Sequence, residues 1–197
     1  MAVRPEAARG LGAILLAAGG SSRLGRPKQL ELIDGQPLVV RQARLLLDLP
    51  ADCVVVVTGA VEEQVRQALT GLPVECVHHA DWSRGMGRSI ARGIEAMPER
   101  VRGALLLLCD QWRIEHADLE KLLEAWWLAP QKAIVSIWDG VSGPPVIFPR
   151  ALFQRLLRLQ GDSGARHLLQ RYAGGLEKVA IANAAFDLDQ PGDADTE

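Results

Sequence analysis

Apolar runs of strand length alternate along the chain with stretches in which apolar residues recur every three or four positions. The runs lie at residues 12–17, 53–58, 74–78, 104–109, 133–138 and 146–149, and include VVVV at 54–57 and ALLLLC at 104–109. Runs with no polar side suit strands buried on both faces of a parallel sheet. Helical spacing links Leu38, Ala43, Leu46 and Leu47, and again Leu119, Leu122, Leu123, Trp126 and Trp127. It returns in Leu152, Phe153, Leu156 and Leu157, and in Ala165, Leu168, Leu169 and Tyr172. Such one-sided stripes are the core-facing sides of helices. The alternation predicts an α/β chain, a three-layer α/β/α sandwich on a mostly parallel, Rossmann-like sheet with right-handed crossovers. No repeat or low-complexity linker interrupts the 197 residues, so residues 1–197 read as a single domain, with 1–10 and 194–197 as flexible ends.

Composition narrows the class of function. A net charge of −2 lacks the basic excess of a nucleic-acid binder. No apolar run approaches a membrane span, and MAVRPEAARG has no apolar stretch of the kind a secretory leader carries. Cys53, Cys76 and Cys109 are far apart and sit in apolar runs, which predicts reduced core residues in a cytoplasmic protein. His78 and His79 beside Cys76 lack a further ligand cluster, so zinc is not expected there. Trp126 and Trp127 read as a packing wedge.

The candidate chemistry starts in LLAAGGSSRLGRPKQL at residues 15–30. An apolar strand runs into a loop in which Gly19, Gly20 and Gly25 let the backbone come close to a ligand with N–H groups outward. Ser21 and Ser22 add hydroxyls, and Arg23 and Lys28 add two positive charges for a polyphosphate. Gly20 and Gly25 have P-loop spacing, but Arg26 and Pro27 stand where Lys and Ser/Thr should follow, and Pro27 disfavours a helix at Arg26. The dinucleotide pattern fails too, since Gly85-x-Gly87 meets Ile90 at the third glycine position.

A second candidate is Asp110, which ends the apolar run 104–109 and should emerge at the carboxyl edge of the sheet near the glycine loop. Mg²⁺ takes one or two carboxylates together with phosphate oxygens and water, which suits such a position. The alternative, a helix cap, is weaker because Asp118 is the better placed cap for the following helix. Ser83 is the candidate cap for a helix starting near Gly85.

The loop resembles the signature L-A-x-G-x-S-x-R-x-G-x-x-K of nucleotidyltransferases, through Leu16, Ala17, Gly19, Ser21, Arg23, Gly25 and Lys28. Further motifs extend the resemblance over most of the chain: Trp82, Gly85, Met86, Ser89, Ile90 and Gly93, then Gly161, Asp162, Gly164, Ala165 and Arg166, with Gly143, Pro144 and Pro145 between. Together they are similar to the MobA-like NTP transferase family, and within it to molybdenum cofactor cytidylyltransferases. The resemblance implies a sheet of the nucleotide-diphospho-sugar transferase type and transfer of CMP from CTP to a phosphorylated acceptor, molybdopterin, with Mg²⁺ as cofactor and a molybdoenzyme as a further partner. It implies Lys28, Arg23 and Asp110 as catalytic residues. The nucleotide is then bound by Leu16, Ala17, Ala18, Gly19, Gly20, Ser21, Ser22, Arg23, Gly25, Lys28, Gly85, Met86 and Ser89. In this family LAAG marks CTP users and LAGG GTP users, so Ala18 favours CTP, its methyl crowding a purine.

The closing motif of the family matches Asp187, Asp189, Pro191 and Asp193, which makes Asp189 the second metal ligand beside Asp110. Asp187 and Asp189 would share one face of a strand, so the choice between them stays open. Gln111, Trp112, Gly143, Pro145, Asp162 and Arg166 are the acceptor-side residues by resemblance, with residues 161–164 shaping a helix start that could hold an anion. Trp112 and Pro144 depart from the family's Pro and His. They leave two other readings: a GTP-using or sugar- or alditol-phosphate nucleotidyltransferase, and a non-catalytic molybdenum cofactor binding or insertion chaperone.

Overall fold

Strand β1, Leu11–Ala17, is buried along its whole length, as its uninterrupted apolar run requires of a central strand. The computed structural model describes residues 10–21, 24–161, 164–172, 174–189 and 193. The other elements are β2 (Leu32–Ile33), β3 (Gln36–Pro37), α1 (Leu38–Leu47), β4 (Cys53–Thr58), α2 (Glu62–Ala68), β5 (Glu75–His78), α3 (Met86–Glu95) and β6 (Gly103–Leu108). They continue with α4 (His116–Leu128), β7 (Ala133–Trp138), β8 (Val141–Pro149), α5 (Phe153–Leu156), α6 (Arg166–Gln170) and β9 (Leu176–Ala180).

Among the described residues the main sheet has seven strands in the order β5-β4-β1-β6-β8-β7-β9. β1 pairs parallel with β4 and β6, β4 with β5, and β7 with β9. β8 alone runs antiparallel, to both β6 and β7. Its direction follows from a two-residue turn: Asp139 and Gly140 have φ of 44° and 78°, the left-handed pair that joins hairpin strands. Asp34 and Gly35, at 52° and 75°, make the same turn between β2 and β3. The chain steps from β1 outward to β5, then returns to the other side of β1 as β6. The crevice between the carboxyl ends of β1 and β6 is therefore the switch point at which open α/β sheets bind ligands.

Alternate residues of β1 feed two cores. Leu11, Ala13 and Leu15 join Leu38, Leu46, Leu119 and Trp126 on one face, with α1 and α4. Ile14 and Leu16 join Ile90, Ile94, Phe148 and Leu156 on the other, with α3 and α5. Two glycines set the layer spacing. A Cβ on Gly93 would lie 2.7 Å from Cγ2 of Ile14, and one on Gly103 would lie 2.5 Å from the Trp126 ring. Trp126 is thus the expected wedge, whereas Trp127 is half-buried.

Several local expectations change. Asp118 does not cap α4; Glu115 does, and Asp118 sits one turn in, accepting the Glu115 N–H at 3.2 Å as the other half of a capping box. Ser83 does not cap α3, which begins after Gly85 at φ 108° with no side-chain cap. Residues 186–189 form no strand, so period-two alternation does not apply to Asp187 and Asp189. Cys109 is buried, but Cys53 and Cys76 are only half-buried, and all three are free. Among the described residues no helix is long and apolar enough to cross a membrane, and no group of three or more His, Cys, Asp or Glu could hold a metal by itself.

Candidate active site

The loop after β1 and the loop after β6 meet through Lys28 and Asp110. Pro27, at φ −65° and ψ 107°, keeps the chain extended until a single helical turn starts at Lys28. The Lys28 N–H donates to Ser21 Oγ at 3.0 Å, closing the glycine loop on itself. The Lys28 ammonium then pairs with Asp110 Oδ2 and lies 3.4 Å from Asp189 Oδ1. Asp189 reaches this point because the Leu188 N–H donates to the Asp110 carbonyl at 2.8 Å, with the Leu188 side chain buried. The Asp189 N–H in turn donates to Asp193 Oδ2 at 2.8 Å.

Electrostatics follow from this crowding. Burial pulls the Lys28 pKa down, but Asp110 and then Asp189 outweigh it and leave the ammonium held above its ordinary value. Desolvation, with the charges of Asp110 and Asp189, pushes Asp187 up to about 6 against the pull of Lys28. Burial, then the Asp110 carboxylate, drives the Cys109 thiol far up, which makes it inert as a nucleophile.

The arrangement fits a divalent cation. Asp110 Oδ1 is buried with no hydrogen-bond partner among the described residues, although a buried carboxylate oxygen needs one. A positive charge already sits between Asp110 and Asp189 in the form of Lys28. Two carboxylates beside an open cleft are what Mg²⁺ requires when phosphate and water complete its shell.

That cleft has a volume of about 420 Å³ and gathers Leu16, Ala17, Ala18, Gly19, Lys28, Gly85, Met86, Ser89 and Asp110 on one wall system. Trp82 and Ser83 also line it. A Cβ on Gly20 would lie 2.6 Å from the outer edge of the Trp82 ring, so the indole closes against the loop at this glycine. Gly25 has φ 73°, a turn that favours glycine, and Ser21 has φ 51°. Ser22, Arg23, Asp162 and Pro191 lie outside the described residues.

A second cavity of about 470 Å³ adjoins the first, with Met86 in the wall of both. Its lining is apolar, including Ile90, Val135 and Phe148, with Arg166 and Lys178 as its cations. Gly143 and Pro144 line it; Pro145 does not, its carbonyl accepting from Ser136 Oγ at 2.7 Å. Gln111 and Trp112 lie outside both cavities. The buried Gln111 amide donates to the carbonyls of Pro144 at 2.8 Å and Ala184 at 3.3 Å, tying β6 to β8. Trp112 packs toward the α1 and α4 core, with the Arg113 guanidinium 4.7 Å from its ring centroid and 4.2 Å from that of Phe186. Sequence reading also missed Gln29, Trp82, Ser83 and Lys178 as lining residues. Trp82 stood inside a matched motif, while a lone Gln or Lys carries no spacing signal.

The family model described as MobA-like NTP transferase domain matches residues 13–176. The purine catabolism protein PucB of Bacillus subtilis is 29% identical over 199 residues, covering 92% of this chain and 93% of that protein. The crystal structure of Rv0371c from Mycobacterium tuberculosis superposes with a TM-score of 0.82 at 24% identity, covering 93% of this chain and 95% of that one. The manganese complex of Rv0371c superposes with a TM-score of 0.77 at 22% identity, with coverage of 93% and 95%. At those identities the likeness speaks for the fold.

Proposed function

The chain belongs to the MobA-like NTP transferase family, and on that premise we propose that it moves CMP from CTP to the phosphate of molybdopterin with release of pyrophosphate. The observation that carries the reading is the Lys28 ammonium set between Asp110 and Asp189 at the foot of the glycine loop, beside a buried Asp110 oxygen that has no partner among the described residues.

An oxygen of the acceptor phosphate attacks the α-phosphorus in line, forming one P–O bond as the bond to pyrophosphate breaks. A phosphate monoester has a second pKa of about 6, so the nucleophile is already ionised and no general base is needed. Catalysis is then positioning and charge stabilisation. Lys28 leaves its carboxylates to contact the α-phosphate, and Arg23 binds the β- and γ-phosphates. Asp110 and Asp189 would hold Mg²⁺, which when bound neutralises triphosphate charge. The manganese complex of Rv0371c supports a divalent cation in this fold.

The Ala18 methyl, in the wall of the first cleft, narrows the space for a purine and supports CTP. The apolar second cavity, with Arg166 and Lys178 at its edge, suits an acceptor with a flat, poorly hydroxylated body and an anionic group better than a sugar phosphate. Pro144 in that wall, where the family usually carries His, supports the competing reading of another acceptor. Pyrophosphate release separates them when CTP, GTP, ATP and UTP are each combined with Mg²⁺ and either molybdopterin or a set of sugar and alditol phosphates. Release only from CTP with molybdopterin is expected. Release with an alditol phosphate would replace the acceptor, and tight pterin binding with no release from any triphosphate would favour a chaperone.

A further inference from the structure

We infer that Gln29 is the positioning residue of the nucleotide loop: its amide locks the loop backbone in the phosphate-accepting orientation before nucleotide arrives. The inference rests on the reading of the first cleft as the triphosphate site. Gln29 is 1% exposed, although a glutamine that follows a cationic loop would normally be solvated. Its Nε2 donates to the Ala17 carbonyl at 3.0 Å and to the Gly19 carbonyl at 2.7 Å. Its Oε1 lies 3.4 Å from Ser21 Oγ, the same hydroxyl that accepts the Lys28 N–H. Strand end, glycine turn and catalytic lysine are thereby joined in one circuit through a single side chain.

Both donors of the Gln29 amide are committed to the chain, so none remains for a nucleotide. Its effect must pass through the loop. A phosphate cradle works only if peptide N–H groups face the anion and carbonyls face away. The peptide is planar and trans, so tying the Gly19 carbonyl to Gln29 turns the N–H of Gly20 the opposite way. Without the amide, the Gly19–Gly20 peptide would be free to flip, because glycine imposes little dihedral preference. A flipped peptide would set a carbonyl lone pair against the triphosphate. The Trp82 ring edge, close to Gly20, limits the same motion by contact but offers no acceptor or donor bond to choose which way the peptide faces.

The test uses the full chain with Gln29→Glu, which keeps the shape but supplies no donor, and Gln29→Met, which keeps the length without any polar atom. Backbone ¹⁵N relaxation is followed without nucleotide, and initial rates are followed with CTP, Mg²⁺ and molybdopterin. Expected are lowered order parameters at residues 18–21 with β1 and β4 unchanged, KM for CTP raised roughly tenfold, and KM for molybdopterin unmoved. Unchanged loop order parameters and unchanged KM for CTP in either folded variant would overturn the inference. So would a fall in order spread evenly over β1 and β4, the mark of a general structural role. A wild type that binds no CTP while the localised loss of order holds would count against the CTP reading and leave the loop brace intact.

Discussion

Asp110 and Lys28 could be picked out in the sequence because each had the right side chain at a strand end or loop end. Gln29 could not, because its role rests on two backbone carbonyls that only the fold brings to it. Gln111 shows the converse. Resemblance points it at the acceptor, yet its amide is spent on the carbonyls of Pro144 and Ala184. Replacing Asp110 by Ala should lower turnover by roughly 10²-fold or more while the circular dichroism spectrum is kept, since the charge is lost from the reacting centre and not from either core. Full activity in that variant would remove Asp110 from the mechanism.

His79 offers an independent prediction at the same scale. It is buried, and its Nε2 has no partner among the described residues. Burial first, then Arg88, with Arg92 and His78, lowers its pKa against the opposing Asp81. The unfolded chain therefore takes up this proton before the folded one does, and stability falls as pH drops from 7 through 6.5 and below. Thermal melts at pH 7 and pH 5 should show a smaller gap in His79→Leu than in the wild type. An unchanged gap would exclude His79 as the source.

At the scale of elements, the long apolar runs were legible as strands because burial on both faces leaves no polar side to confuse the pattern. β9 escaped the same reading because, as an edge strand with the half-exposed pattern LEKVA, it mixes charge into its short run. The two Asp-Gly turns explain the antiparallel β8 and the small β2–β3 hairpin, and each dipeptide is itself a hairpin signal in the sequence. The helix that carries Met86 and Ser89 is set by contact, not by a cap. Gly93 lets α3 approach β1, and Ala there would drive a methyl into Ile14. Gly93→Ala should destabilise the protein by about 1–3 kcal/mol and raise KM for CTP, since the whole helix must shift. Chemical denaturation beside steady-state kinetics reads both effects, and a neutral result in both would show that α3 is not held by this contact.

For the whole molecule, the two cores share β1 and the cleft lies between strands that belong to both, so binding and global stability should be linked. Residues 1–197 are expected to unfold in one cooperative transition. CTP with Mg²⁺ at a hundredfold excess over its Kd should add about 2.7 kcal/mol, and GTP at the same concentration less. Calorimetry showing two separate transitions, or equal shifts for both nucleotides, would contradict the single domain or the base preference respectively. The proposed CMP transfer in the cleft of Lys28, Asp110 and Asp189 is read out by ³¹P NMR of CTP incubated with the protein, Mg²⁺ and molybdopterin. The α-phosphorus signal of CTP should be replaced by that of a new diphosphate ester together with free pyrophosphate, in wild type and not in Asp110→Ala. A spectrum in which CTP persists while molybdopterin is bound, or in which Asp110→Ala forms the same product at the same rate, would contradict it.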